Sequence, residues 1–181
     1  MSATTSGTDL LYPLSHFFAL SGQVLPPCEI INSDEMPEPY RALLVHQGDM
    51  TSRLEKFHGA PMTLRVLHSE AEANTYRREV LLCAGDSARP VEYGAIAIDL
   101  GQFSEPLRSL ILEGHQPLGG LLNRHAVRYR SEPRAFLRLA PDPAMEAHFG
   151  LAGAHTLYGR CNVLLDDRDQ VLARIVEVLR P

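Results

Sequence analysis

Six apolar, strand-like runs follow one another along this chain: residues 62–69, 75–83, 91–98, about 126–138, about 157–165 and 170–179. The last two are joined by Asp166-Asp167-Arg168-Asp169, a cluster of turn formers that reads as a hairpin. Parallel neighbours need long crossover connections, and most of these runs succeed one another without a long helix between them. The pattern therefore predicts an α+β domain built on a single antiparallel sheet of about six strands.

Two of the runs carry a charge where none belongs. In TYRREVLLC (75–83), Arg78 falls on the same face as Tyr76, Val80 and Leu82, because side chains alternate along a strand. In QVLARIVEVL (170–179), Glu177 shares a face with Val171, Ala173, Ile175 and Leu179. A guanidinium or a carboxylate on an apolar face needs a counter-charge, since burying it alone is costly. Two readings are open on spacing alone: Arg78 and Glu177 line a closed pocket for a small polar anion, or they pair with each other. By the same alternation Arg77 and Glu79 point away from Arg78 and are expected at the surface.

Helical signals cluster between the strands. Pro39 opens EPYRALLVHQG and Gly48 closes it; Asp49 then caps MTSRLEKFH, which Gly59 ends. Ser104-Glu105-Pro106 starts LRSLILE, Gly114 ends it, and Pro117 opens LGGLLN. These are two helical hairpins, expected to cover one face of the sheet and enclose the pocket. Each opens a helix beside it, at Met50 and at Leu118, and free N–H groups at helix starts attract anions. Read without other information, Met50 and Leu118 are equally well core side chains.

Composition narrows the function classes. At 181 residues and 45% hydrophobic, the chain has the length and character of one globular domain, 1–181, with a small polar tail over residues 1–9. A net charge of −5 argues against broad nucleic-acid binding. Cys28, Cys83 and Cys161 form no CxxC pair, and the eight histidines show no HxH or HExxH spacing, so neither a disulfide framework nor a metal site is expected. No GxSxG supports a hydrolase. The start lacks a basic leader and no run reaches the roughly 18–20 apolar residues of a membrane span, so a cytoplasmic protein is expected. Arg124, Arg128, Arg130, Arg134 and Arg138 form an arginine-rich stretch, read as a solvated face or as a steering surface for an anion.

REVLLC (78–83), PLG (117–119), Asp49-Met50-Thr51 with Leu54-Glu55, and Glu177 before an apolar segment and Pro181 together resemble the chorismate pyruvate-lyase family, in order and spacing, across residues 38–181. The resemblance implies an antiparallel sheet holding its ligand beneath helical flaps. It also implies a lyase of ubiquinone biosynthesis that eliminates pyruvate from chorismate to leave 4-hydroxybenzoate, without metal or cofactor. On it, Arg78 and the amides of Met50 and Leu118 would hold a carboxylate, and Glu177 would face the ring hydroxyl, making Arg78 and Glu177 catalytic. Gly120 departs from the family, whose better-known bacterial members carry arginine there. The alternatives are a non-catalytic domain of the same fold that senses a small aromatic carboxylate, or a lyase for a related cyclohexadiene carboxylate. Small-molecule partners are expected, nucleic acid and membrane are not.

Overall fold

The computed structural model describes residues 9–86 and 89–180; the polar tail expected over 1–9 lies, apart from Asp9, outside them. Seven strands, one more than the sequence indicates, form one sheet: β1 (Cys28–Ile31), β2 (Met62–Glu72), β3 (Thr75–Ala84), β4 (Arg89–Asp99), β5 (Arg130–Leu139), β6 (Leu157–Leu165) and β7 (Val171–Leu179). Their order is β1-β5-β6-β7-β4-β3-β2. Every pairing is antiparallel.

Six helices cover the sheet: α1 (Leu14–Leu20), α2 (Tyr40–Leu44), α3 (Met50–His58), α4 (Leu107–Glu113), α5 (Leu118–Arg124) and α6 (Pro143–Phe149). The pairs α2–α3 and α4–α5 are the two expected hairpins. Asp49 caps α3 by accepting the Ser52 N–H at 2.8 Å, and Gly59 and Gly114 close α3 and α4 in the left-handed conformation that glycine tolerates. Gly48 does not close α2. That helix stops at Leu44.

Alternation sends the two faces to different cores. Leu81, Cys83, Tyr93 and Ala95 point to one side and pack with Phe17 and Phe18 of α1 and Phe149 of α6. Arg77 and Glu79 belong to this side, and it is not open surface as their spacing indicates. Arg77 donates to Tyr12 Oη at 2.7 Å and to Glu70 at 3.0 Å, while Tyr93 donates to Glu79 at 2.5 Å. The other face divides into two clusters. One gathers Leu43, Leu44, Met50 and Leu54 of α2–α3 against Leu82 and Leu179. The second gathers Leu107, Ile111, Leu118 and Leu121 of α4–α5 against Tyr76, Ile96 and Ile98. The seam between these clusters is the place where a cavity opens.

Candidate functional site

Register fixes the cavity floor as a grid of side chains. Val80, Gly94, Glu177 and Arg160 stand in one row across β3, β4, β7 and β6. On one side of it runs Arg78, Ile96, Ile175 and Asn162; on the other run Leu82, Glu92 and Leu179. Gly94 keeps the middle of the floor low. A Cβ there would come within 2.8 Å of the Val176 carbonyl oxygen. The starts of α3 and α5 form the roof, so Met50 and Leu118 both line the cavity, each being also a buried member of its flap's core.

The roof is held by short polar contacts. Gly119 lies so close to Asp49 that an added Cβ would sit 3.2 Å from the Asp49 Cβ. Asn123 donates to Asp49 at 3.4 Å, and Tyr129 donates to Asn123 at 3.2 Å. The enclosed space is about 70 Å³ as mapped by the centre of a water molecule.

Besides the half-buried Asp49, four charged side chains meet this space, each nearly inaccessible: Arg78 at 2%, Glu92 at 4%, Arg160 at 0% and Glu177 at 4%. The open alternative of an Arg78–Glu177 pair is resolved by Arg160. It donates from Nε to Glu177 Oε2 at 2.5 Å, across a β6–β7 pair. Its Nη1 donates to the carbonyls of Leu44 at 3.2 Å and His46 at 3.1 Å. Those carbonyls lie at and just beyond the end of α2, so Arg160 grips that helix end from across the fold. Burial, reinforced by the neighbouring guanidiniums of Arg160 and Arg53, lowers the His46 pKa to about 4 and keeps that ring neutral.

Arg78 is different. Its Nη2 donates to the Gln116 carbonyl at 3.1 Å, but among the described residues no acceptor meets Nε or Nη1. Burial pushes its pKa down, with Tyr76 acting in the opposite direction. Glu92 also lacks a partner at Oε2. Burial, with the Glu177 charge beside it, raises its pKa well above the usual carboxylate range, and Arg160 offsets only part of this. Its acid form is therefore favoured. Arg160 is paired with Glu177, whereas among the described residues the Arg78 guanidinium has no carboxylate partner.

Sequence reasoning named Arg78, Glu177, Met50 and Leu118, and the structure places all four in the wall of this one cavity. It missed Arg160 and Glu92. For Glu92 the signal was the one that singled out Arg78, a charge among Pro90, Ile96 and Ile98 on its face, whereas Arg160 shares its face with Tyr158 and Asn162. Of the arginine-rich stretch, Arg124 lies on α5 and hydrogen-bonds Gln116 and Gly120, and the others are ion-paired at the surface. Arg130 contacts Asp169 at 2.6 Å, Arg134 contacts Glu132 at 3.0 Å and Arg138 contacts Glu29 at 2.7 Å. No group of three side chains of metal-ligating type occurs among the described residues, and no helix there is long and apolar enough to cross a membrane.

No family model and no curated protein matches the chain. Among solved structures it is similar to PhnF from Mycobacterium smegmatis, at TM-score 0.58 and 12% identity over 75% of this chain and 65% of that one. The chain thus spans about two-thirds of PhnF. It is similar also to the separate effector domain of PhnF, at TM-score 0.55 and 12% identity over 74% of this chain and 88% of that one. A GntR-family transcriptional regulator from Bacillus cereus gives TM-score 0.49, with 10% identity over 66% of this chain and 92% of that one. The expectation of a chorismate lyase serving ubiquinone biosynthesis is corrected by this likeness to an effector domain. Glu177, the expected catalytic carboxylate, is ion-paired with Arg160. At such identities the likeness establishes the fold alone. The chain has the chorismate lyase-like α+β fold, shared with the effector domain of PhnF.

Proposed function

We propose that this chain is a non-catalytic binding domain that senses a small aromatic or cyclic carboxylate. The observation that carries the reading is Arg78: a guanidinium 2% exposed, aimed into a cavity, with Nε and Nη1 unpartnered. Buried donors of a charged group are costly to leave unmet, and a planar carboxylate meets two of them at once. The Met50 and Leu118 walls and the low Gly94 floor leave a flat apolar slot for a ring. Glu177 orients the ligand as part of its pair with Arg160, which also grips the end of α2. A ligand touching Glu177 is therefore one residue from a flap, the arrangement that lets occupancy reach the domain surface.

The likeness to the PhnF effector domain supports this use of the fold. In that role the ligand is bound, not converted. A net charge of −5 speaks against this chain being the part that touches DNA. It does not exclude DNA from an assembly containing it, so the expectation of no nucleic-acid partner is not carried forward. Calorimetric titration with benzoate and 4-hydroxybenzoate tests the reading. Binding is expected for the wild type and a loss of about 2–5 kcal/mol for Arg78→Ala, the range for truncating one partner of a buried charge pair. Affinity unchanged by Arg78→Ala would sink it.

A further inference from the structure

Glu92 has no place in the reading above, although it is as buried as Glu177. Its Oε2 lies in the cavity wall without a partner. Its position is informative. Arg78 stands opposite Ile96 on β4, and Glu92 lies four positions further along that strand on the same face. At about 3.4 Å per residue, the two Cα rows are roughly 13 Å apart. Between them lies Gly94, the one floor position with no side chain. The cavity thus has an unpartnered polar group at each end, with Gly94 and the Glu177–Arg160 pair in the row between them.

The ends differ in kind. Arg78 offers only donors. At the other end a second buried anion beside Glu177 would be repelled by it, and Arg160, the cation that acts on Glu92, is already engaged with Glu177. A carboxyl in that setting keeps its proton and becomes an O–H donor, which is how an apolar site turns an acid into a hydrogen-bonding group.

We propose that Glu92 is a specificity-determining residue of the cavity: as a neutral acid it donates a hydrogen bond to an acceptor at the far end of a ligand whose carboxylate sits on Arg78. This rests on the carboxylate-binding reading and narrows it to rigid monocarboxylates with a hydrogen-bond acceptor opposite the carboxylate. A second carboxylate at that end is excluded, since it would meet Glu177 as well.

Two ligands of equal shape separate the possibilities. 4-Cyanobenzoate ends in an acceptor nitrogen, and 4-ethynylbenzoate ends in a weak C–H donor. Titrated into the full chain by calorimetry at neutral pH, the cyano compound should bind roughly fivefold or more tightly, the scale of one net hydrogen bond. Glu92→Gln, whose amide still donates, should keep the preference, and Glu92→Met should abolish it. Should Glu92→Met not fold, the nitrile stretch of bound 4-cyanobenzoate decides. Direct contact requires the band to shift between wild type and Glu92→Gln, and an unchanged band overturns the proposal. Equal affinities in the wild type, or a preference for the ethynyl compound, overturn the role of Glu92 while leaving Arg78 as the carboxylate anchor. Failure of both compounds to bind removes the carboxylate reading itself, and this proposal with it.

Discussion

Arg78 and Arg160 are both buried arginines on neighbouring parts of one floor, yet they should respond oppositely to the same substitution. Arg160 is one half of a buried pair and caps α2. Arg160→Met leaves Glu177 uncompensated beside Glu92 and should cost about 3–5 kcal/mol of stability. Arg78 has donors with no protein partner, so Arg78→Met should leave the ligand-free protein as stable as before or more so, while abolishing carboxylate binding. Thermal melts of the two variants check this, and a large loss in Arg78→Met would assign it a structural role. Glu92 adds a pH dependence. Its unfolded carboxyl releases its proton near 4.5, whereas its folded pKa is raised. The folded state then holds more protons in between, so this stabilisation is full below about pH 4.5 and is lost as pH rises through the folded value. Glu92→Gln has no such loss, and its Tm advantage over wild type should widen as pH rises above about 4.5. Of these residues, Arg78 and Glu177 were legible because a charge interrupts an apolar alternation. Glu92 carries the same mark in PVEYGAIAID, whereas Arg160 shares its face with Tyr158 and Asn162 in LYGRCNVLL. What no alternation could supply was the pairing, because which arginine meets Glu177 depends on the strand order.

The helical elements were legible where their ends are local and illegible where they are not. Asp49, Gly59 and Gly114 act within a few residues of their own helices, and each does what its type favours. The chain after α2 is held by Arg160 of β6, far away in sequence, and the helix ends four residues before Gly48. Helix α6 carries readable marks, with Asp142 accepting the Met145 N–H at 2.9 Å, Pro143 in its first turn and Gly150 closing it. At 7 residues it is too short to show a period. Strand β1, at 4 residues, is shorter still. The flaps themselves make a prediction at this scale, because α3 and α5 meet at Gly119 and Asp49. Gly119→Ala would place a methyl group 3.2 Å from the Asp49 Cβ, forcing the roof apart by a few tenths of an ångström. Alanine's helix preference, worth up to about 1 kcal/mol, offsets the strain in overall stability. The expected signature is thus a nearly unchanged Tm with several-fold faster ligand release in stopped-flow. Unaltered release would show that this contact does not gate the cavity.

At the scale of the whole molecule, the sheet order makes the cavity a joint between two halves of the chain. Strands β2, β3 and β4 bring Arg78, Gly94 and Glu92. Strands β5, β6 and β7 bring Ser131, Asn162, Arg160 and Glu177, and one flap is inserted on the way into each half. A ligand bridging Arg78 to the Glu177 side therefore ties together segments that are distant in sequence, and it binds only when both halves are folded. Binding to the folded state alone raises stability by about 2.7 kcal/mol at a hundredfold excess over Kd. For a chain of this length 1 kcal/mol shifts Tm by about 2–4 °C, so a saturating carboxylate should raise Tm by roughly 5–11 °C. The shift should vanish in Arg78→Met, whose fold is intact but whose anchor is gone. Chorismate itself distinguishes holding a ligand from converting it. Glu177 is engaged by Arg160, and burial favours the acid form of Glu92, so neither carboxyl is set to take the ring proton. Incubation with chorismate should leave pyruvate and 4-hydroxybenzoate at their uncatalysed levels, even at concentrations that raise Tm. Release of the two products in equal amounts, abolished by Glu177→Gln, would show that the Arg160 pair opens during turnover and would restore a catalytic role to this cavity.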